Sequence, residues 1–349
     1  MGPVPRLVSL PGGAAERTRP AGLKAGAPLT RAQPPQQALA LAGPDLARAE
    51  DSLRQLLGSD VAAVEVIARY LADNGGKRLR PLLTCLGARA VGLQGDVSRL
   101  MCVGEMIHLG SLLHDDVVDG GEERRGEPAA WRVFGNGAAV LTGDFCLARA
   151  VLLASEEGGH AAVTHLARAV TEMAEGEVLQ LQRAGDLTTG RETYLEVVEK
   201  KSAALIAWCA GAGAHVVDDP ALGRALEAYG RAVGIAFQVA DDVLDYGGQS
   251  QLTGKQPGTD LLERKLTLPL LLALERVAGL RDELLAAPPA RDDLSRLLAA
   301  VADCGALEDS LVFARERVAF GVAQLQALPE TPWRGALEAL AWYLVDRIS

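Results

Sequence analysis

Apolar residues recur at intervals of three and four from Asp45 to the end of the chain. This spacing places them on one face of an α-helix, as in the series Leu53, Leu56, Leu57, Val61 and Val64. Alternating β-branched runs are not apparent in the sequence, and turn-forming glycine pairs divide it into helix-length segments. The 349 residues would allow two domains, but one large helical domain fits equally well. The pattern therefore predicts an all-α protein with roughly ten or more helices in one bundle.

The first 44 residues have a different composition. They hold eight of the seventeen prolines, five basic residues and one acidic residue, Glu16. They contain no apolar segment of the kind found in a secretory signal, and the prolines oppose the amphipathic helix of a transit peptide. We predict a disordered or poorly ordered Pro-rich tail over residues 1–44 and an all-helical domain over residues 45–349.

Net charge and cysteine usage exclude several classes of protein. A net charge of −10 argues against a nucleic-acid partner, because such a protein would show a basic face. The five cysteines form no CxxC pair, which predicts a reducing, cytoplasmic location and neither a zinc finger nor a disulfide framework. Asp144 and Arg149 interrupt the longest apolar stretch, so no transmembrane segment is expected.

Two DDxxD segments carry the chemistry. The segments LLHDDVVD and QVADDVLD contribute Asp115, Asp116, Asp119, Asp241, Asp242 and Asp245. On a helix the first and last aspartates of each set lie one turn apart on the same face. Two carboxylates about 4 Å apart repel by about 4 kcal/mol at an effective dielectric of 20, and Mg²⁺ removes that repulsion. One such segment alone would suggest a solvated acidic face, but two predict a metal-diphosphate site.

The few lysines support this interpretation. The chain has 29 arginines but only six lysines, and all except Lys24 lie in distinctive contexts. Lysine binds phosphate as a compact charge and arginine as a planar fork, so a mixture suits a diphosphate. The segment GGKRLRP could be a solvated helix start, but positive charge is unfavourable there, and we interpret it as an anion site. A further cationic element is Arg124-Arg125-Gly126.

Several segments, taken in order, resemble the trans-isoprenyl diphosphate synthases, the polyprenyl synthetase family, and most closely its long-chain members. They are GGKRLRP, EMIHLGSLLHDDVVDGGEERRG, GNGAAVLTGDFCLARA, EKKSA and FQVADDVLDYGGQSQLTGKQPGTDLLERKLTLPL. The resemblance implies an isoprenoid-synthase-type helical bundle around a deep central cavity. It also implies a homodimer, with the aspartate motifs facing each other across the mouth of the cavity.

The family's functional residues carry over by motif. The six motif aspartates would hold several Mg²⁺ ions, and the catalytic set would be Asp115, Asp116, Asp119, Asp241, Asp242 and Lys201. The isopentenyl diphosphate site would comprise Lys77, Arg80, His108 and Arg125. The allylic diphosphate contacts would be Arg124, Lys201, Ser202, Gln238, Lys255 and Lys265. Ser202 replaces the family's usual threonine and keeps the hydroxyl group. Gln249 and Gln251 stand where long-chain members often carry acids, and Arg264 stands at a common glycine position.

The implied reaction is a prenyl transfer. Diphosphate leaves the allylic substrate, the double bond of isopentenyl diphosphate attacks the resulting carbocation, and a proton is then lost. No side-chain nucleophile is needed, so catalysis consists of charge stabilisation and positioning. A transient membrane contact for product release is also expected.

In the resembling family the growing chain passes the residues just before the first DDxxD. The small residues Gly110 and Ser111 stand there, so the resemblance implies an open tunnel and a long-chain product, a precursor of quinone side chains. The alternative role for both is close helix packing. Other functions considered are a short-chain synthase making farnesyl or geranylgeranyl diphosphate, a subunit of a heteromeric synthase and a terpene cyclase. A cyclase has no use for a cosubstrate site such as GGKRLRP, and a non-catalytic subunit usually has degraded aspartate motifs.

Overall fold

The structure is a computed structural model that describes residues 36–76, 78–247, 258–287 and 289–346, most of them helical. The first half consists of α1 (Gln36–Leu56), α2 (Ala62–Asp73), α3 (Leu79–Ala90), α4 (Ser98–Val118), β1 (Glu123–Arg124), β2 (Glu127–Pro128), α5 (Ala130–Phe134) and α6 (Asn136–Arg183). The second half consists of α7 (Arg191–Val198), a π-helical turn (Glu199–Ala203), α8 (Ala204–Val216), α9 (Pro220–Tyr246), α10 (Thr259–Leu262), α11 (Leu268–Arg276), α12 (Leu280–Ala286), a 3₁₀ turn (Arg291–Asp293), α13 (Leu294–Asp303), α14 (Ala306–Gln324), a second 3₁₀ turn (Leu325–Ala327) and α15 (Pro332–Asp346). The predicted all-α class is confirmed.

Helix α8 lies at the centre of the bundle, because it is apolar on every side and buried along nearly its whole length. Small residues let its neighbours approach closely. A Cβ atom at Gly87 of α3 would lie 2.1 Å from the carbonyl oxygen of Ala210. A Cβ atom at Gly230 of α9 would lie 2.7 Å from the Cα atom of Ala207. Through these contacts, α3 and α9 pack closely on neighbouring residues of α8.

The C-terminal helices complete the same core. Tyr229 of α9 is fully buried, and its hydroxyl group donates a hydrogen bond of 2.7 Å to the carbonyl oxygen of Leu337 in α15. Trp208 of α8 is also buried, and its indole Nε1 donates to the carbonyl oxygen of Ala162 at 3.1 Å. Each large aromatic ring therefore has a partner for its polar group. One hydrophobic core connects the helices from α1 to α15.

Helix α1 begins at Gln36, within the segment that we assigned to the tail. Ala38 and Ala42 are fully buried against the core, and Pro44 lies inside the helix. The boundary predicted at Asp45 is thus wrong for residues 36–44. The apolar contacts of the two alanines outweigh the unfavourable position of the proline. The rest of the predicted tail, residues 1–35, lies outside the described residues and remains a proposal.

Deleting residues Met1 to Pro34 is expected to leave activity and the melting temperature nearly unchanged, because the deletion ends before α1. Extending the deletion to Pro44 should lower the melting temperature, since it removes Ala38 and Ala42. Each buried methyl group contributes about 0.8 kcal/mol to the free energy of unfolding. Thermal unfolding of both truncated proteins checks this. A large loss on the shorter deletion would show that the tail docks onto the body.

Helix α6 is long and apolar enough to span a membrane by length and composition, and no other helix in the described ranges is. The charges at Asp144 and Arg149 are therefore weaker evidence against a span than we expected. The backbone leaves the helical region at Gly159, so α6 consists of two helices joined end to end. Of its most apolar stretch 39% is buried, through packing on α4 and α8. A single helix of this kind is weak evidence for a membrane span, since core helices of globular proteins can be equally long and apolar.

Candidate active site

The first aspartate motif forms the C-terminal end of α4. Asp115 and Asp116 lie in its last turn, and the N–H group of Asp119 donates to the carbonyl oxygen of Asp115 at 2.8 Å. Asp116 is 1% exposed, and its Oδ1 accepts a hydrogen bond of 2.8 Å from Nε of Arg124. Its buried Oδ2 has no hydrogen-bond partner among the described residues. A buried carboxylate oxygen without a donor is the kind of atom that a metal ion satisfies.

Asp115 lies in a crowded acidic environment. Burial raises the pKa of its carboxyl group to about 6, and the charges of Glu177 and Asp119 act in the same direction. Lys201 and Arg124 oppose this shift. The free protein therefore pays an electrostatic cost to keep Asp115 ionised, which a divalent cation would remove.

The second motif occupies the last turns of α9. Burial raises the pKa of Asp242 to about 7, with further contributions from the charges of Asp260 and Asp241. The hydroxyl group of Tyr194 donates to Oδ2 of Asp242 at 2.6 Å, and Nε2 of Gln238 donates to its Oδ1 at 2.9 Å. These two hydrogen bonds fix the orientation of the carboxylate. Tyr194 was not among the site residues predicted from the sequence.

Lys201 lies in the π-helical turn between α7 and α8. Its Nζ forms an ion pair with Oε1 of Glu177 in α6 at 2.7 Å. A Cβ atom at Gly176 would lie 2.6 Å from the backbone nitrogen of Lys201, so only glycine permits this approach of the two helices. Widened π-helical turns are often found at functional sites. Here the turn presents Lys201 to the carboxylates, since its charge acts on Asp115.

Ser202 and Gln238 connect the π-helical turn to the second motif. Oγ of Ser202 donates to Oε1 of Gln238 at 2.9 Å, and the amide nitrogen of Gln238 donates to Asp242. The predicted site residues Ser202, Gln238 and Asp242 therefore form one hydrogen-bonded chain. The serine hydroxyl group takes part in it.

Lys265 connects the two motifs electrostatically. Its Nζ lies 2.6 Å from Glu263 and 3.8 Å from Asp260. Burial alone would lower the pKa of Lys265, but the charges of Asp260, Glu263 and Asp119 outweigh it and raise the pKa. Asp119 belongs to the first motif, whereas Asp260 acts on Asp242 of the second. The structure thus brings both motifs within electrostatic range of the same lysine. The backbone N–H group of Asp260 also donates to Oδ2 of Asp245 at 3.0 Å.

A cluster of arginines lies around the start of α3. Nη1 of Arg78 pairs with Glu105 at 2.8 Å, and its Nη2 donates to Glu50 at 3.2 Å, so Arg78 has a structural role. Arg80 is only partly exposed, and its buried Nε has no hydrogen-bond partner among the described residues. Burial lowers the pKa of Arg80, opposed by the charge of Glu105. A partly desolvated guanidinium group with an unused donor suits an anionic ligand.

The Arg124-Arg125-Gly126 segment forms a tight hairpin that lies next to this arginine cluster. β1 and β2 pair antiparallel, and Arg125 and Gly126 occupy the turn with φ of 58° and 83°. Positive φ at both positions is the signature of a type I′ turn. The Cβ position of Gly76 lies 3.5 Å from Nη1 of Arg125 and 3.5 Å from Nη1 of Arg78. The two predicted cationic elements are therefore adjacent.

His108 lies among these cations. Burial lowers the pKa of its imidazole well below the usual range, and the charges of Arg80, Arg125 and Arg124 lower it further. The ring is consequently neutral at physiological pH and can act as a hydrogen-bond donor without adding charge. Lys77 and Lys255, two further predicted phosphate ligands, lie outside the described residues, as do Gln249 and Gln251.

Arg264 stands at a position that is commonly glycine in the resembling family, and the backbone explains that preference. Its φ is 55°, a left-handed conformation that costs a residue other than glycine roughly 1–2 kcal/mol. The guanidinium group of Arg264 lies beside Gly185, where Nη2 donates to the carbonyl oxygen at 3.5 Å. The structure therefore tolerates the arginine without a change in the loop's left-handed geometry.

The contacts of Gly110 favour the alternative role that the sequence left open. A Cβ atom there would lie 2.9 Å from the carbonyl oxygen of Gly143 in α6 and 3.3 Å from Leu147. Gly110 therefore serves the alternative role of close helix packing, between α4 and α6. Ser111 is half-buried, and its Oγ donates to the carbonyl oxygen of His108 at 2.9 Å. Ser111 remains the candidate for control of chain length.

Sequence reasoning missed three residues that contact the site: Glu177, Tyr194 and Asp260. Asp260 could have been found, because it is an additional acid between the second motif and Lys265. Glu177 and Tyr194 carry no local signal, since each meets its partner only in the folded chain.

The fold and the paired carboxylate motifs define an isoprenoid-synthase-type prenyltransferase.

Comparisons with known proteins agree. A profile of the polyprenyl synthetase family matches residues 61–300. The chain is 38% identical over 315 residues to the octaprenyl diphosphate synthase of Escherichia coli K12, covering 88% of this chain and 97% of that protein. It is 34% identical over 311 residues to component 2 of the heptaprenyl diphosphate synthase of Geobacillus stearothermophilus, covering 87% and 96%. The chain belongs to the polyprenyl synthetase family.

Solved structures show the same fold. A polyprenyl synthase from Caulobacter crescentus CB15, in complex with calcium and isoprenyl diphosphate, superimposes with a TM-score of 0.85 at 40% identity, covering 90% of this chain and 98% of that one. A decaprenyl diphosphate synthase from Rhodobacter capsulatus gives a TM-score of 0.84 at 36% identity, covering 90% and 99%. The predicted isoprenoid-synthase fold is confirmed.

Proposed function

We propose that this prenyltransferase condenses isopentenyl diphosphate with an allylic diphosphate and releases a long-chain trans-polyprenyl diphosphate. The observation that carries the proposal is the orphaned Oδ2 of buried Asp116, next to Asp115 with its raised pKa. Both features are unfavourable in the free protein, and both are relieved by a cation that binds diphosphate. The long-chain relatives support the product class.

The six motif aspartates fit Mg²⁺, because they offer only carboxylate oxygens and Mg²⁺ prefers oxygen ligands. We propose that Asp115, Asp116, Asp119, Asp241, Asp242 and Asp245 hold several such ions. The ions would neutralise the charge that develops on the departing diphosphate. The Caulobacter structure contains calcium together with isoprenyl diphosphate, which supports a divalent cation as part of this protein's chemistry.

The cations around the motifs divide into two groups. Lys201, Lys265 and Arg124 each interact with acids of the motifs or with acids beside them, so we assign them to the allylic diphosphate. Arg80, Arg125 and neutral His108 form a separate group near α3, which we assign to isopentenyl diphosphate. The chain's contribution is positioning and charge stabilisation.

We further propose that the enzyme acts as a homodimer in the cytoplasm. Several large apolar side chains of α6 are exposed: Leu141, Val151, Leu152, Val178 and Leu181. Leu141 and Leu152 are about three turns apart and therefore share a face. A second copy of the chain would cover this surface. Cytoplasmic location agrees with the five free cysteines.

The two substrate sites should separate kinetically. Arg80→Ala is expected to raise the KM for isopentenyl diphosphate by about ten- to a hundredfold, because it removes a charge-assisted contact to phosphate. Lys201→Ala should mainly impair use of the allylic primer. Steady-state kinetics with each substrate varied in turn measure both effects.

Lys200→Ala is the matched control. Lys200 is adjacent to Lys201, but its Nζ pairs with Glu175 at 3.0 Å and Glu196 at 3.2 Å, away from the motifs. This variant should leave both KM values close to wild type. Equal changes in the two KM values in Arg80→Ala and in Lys201→Ala would contradict the assignment of separate sites.

The direct test is to incubate the purified protein alone with Mg²⁺, isopentenyl diphosphate and an allylic primer, and to size the products. Long-chain products from the single chain would support the proposal. The heptaprenyl relative is named as a component of its synthase, which keeps a heteromeric subunit as the alternative. Activity that requires a second protein would favour that alternative. Products of farnesyl or geranylgeranyl length would identify a short-chain synthase.

A further inference from the structure

Two histidines and a glutamate converge at a site outside the aspartate motifs. His165 comes from the second half of α6, His215 from the end of α8 and Glu227 from the first half of α9. Nδ1 of His165 lies 2.7 Å from Oε1 of Glu227, and Nε2 of His215 lies 3.0 Å from the same oxygen. Three different helices thus direct one potential metal ligand each to a common point.

We propose that His165, His215 and Glu227 bind a transition-metal ion, Zn²⁺ by preference. The three ligand atoms lie within 4.8 Å of one another. Zn²⁺ accepts imidazole nitrogen together with carboxylate oxygen, and sites with two histidines and one glutamate commonly take water as the fourth ligand. Mg²⁺ prefers oxygen ligands, so this site and the aspartate motifs select different ions.

The cluster is partly open to solvent. The His215 side chain is 6% exposed, whereas those of His165 and Glu227 are 34% and 26% exposed. The site is therefore closed on one side and open to solvent on the other. A Cβ atom at Gly211 would lie 2.8 Å from Cγ of Glu227, so a side chain there would displace the glutamate.

A tetrahedral zinc site needs the two histidine nitrogens slightly farther from Oε1 of Glu227 than they are here. Ligand atoms about 2.0–2.1 Å from zinc stand roughly 3.3 Å apart, compared with 2.7 and 3.0 Å here. Rotation of the partly exposed His165 and Glu227 side chains supplies the difference.

A bound ion would connect helices that also carry the catalytic residues. α6 carries Glu177, the turn before α8 carries Lys201, and α9 carries Asp242. Metal binding at a preformed site stabilises the folded state by mass action. Zn²⁺ should therefore raise the melting temperature without being needed for prenyl transfer.

Cobalt absorption spectroscopy tests the proposal on the full-length protein. Co²⁺ is added in the presence of excess Mg²⁺, which occupies the aspartate motifs, and Zn²⁺ is then titrated in. We expect intense visible bands from a tetrahedral site, one equivalent bound, and loss of the bands as Zn²⁺ displaces Co²⁺. His165→Gln and His215→Gln should each weaken binding more than about tenfold and remove the thermal shift caused by Zn²⁺.

His160→Gln is the matched control, because His160 is exposed on the same helix, within 3.5 Å of Thr164. This variant should bind Co²⁺ like the wild type, and so should Asp115→Asn, which changes only the first motif. Absence of tetrahedral bands in the wild type would overturn the proposal, as would bands that persist in both His165→Gln and His215→Gln. Neither result depends on the enzymatic reaction, so the proposed function is tested independently.

Discussion

Asp115→Ala is expected to reduce turnover by about a hundred- to a thousandfold. This is the range for loss of one group that stabilises charge in the transition state. The same loss is expected for Asp241→Ala in the second motif. Each aspartate would help to hold the cations that neutralise the leaving diphosphate. Incorporation of labelled isopentenyl diphosphate at saturating Mg²⁺ measures the effect, and a chelator should abolish wild-type activity in the same assay.

Neither variant should unfold the protein. The pKa of Asp115 is raised to about 6, so its ionised form is less stable in the folded chain than in water. Removing the carboxylate relieves that cost, and the melting temperature without metal should stay the same or rise. Asp144→Ala is the control, since Asp144 is an exposed acid on α6 that contacts His114. Full activity in Asp115→Ala or Asp241→Ala would exclude the corresponding motif from the site.

Ser111→Phe is expected to shorten the product while sparing the first condensation. Ser111 lies four residues before Asp115, one turn below it on the same face of α4. A growing prenyl chain that extends from the metal site into the bundle would meet the phenylalanine ring after a few additions. Chromatographic sizing of products, with single-turnover kinetics of the first addition, separates the two effects.

Gly110→Phe is expected to behave differently. Because even a Cβ atom would lie 2.9 Å from the carbonyl oxygen of Gly143, the ring would separate α4 from α6 and destabilise the fold. The melting temperature should therefore fall in Gly110→Phe and stay near wild type in Ser111→Phe. A wild-type product no longer than geranylgeranyl diphosphate would refute the long-chain prediction and leave the prenyltransferase class intact.

The sequence by itself determined the fold class, the two aspartate motifs and most of the cationic residues around them. Helical periodicity and the spacing of Asp115, Asp116 and Asp119 are local properties, because residues three and four apart share a helix face whatever the chain does elsewhere. The contacts of Ser202, Gln238 and Asp242 follow the same logic in part, since Gln238 and Asp242 are one turn apart.

Tertiary structure decided the rest, for one physical reason: the deciding contacts join residues that are far apart in the chain. Glu177 meets Lys201, and Tyr194 meets Asp242, only because α6, α7 and α9 pack together. The packing role of Gly110 depends on the α6 backbone opposite it. Burial of Ala38 against the core, which no local pattern records, places the start of the helical body at Gln36.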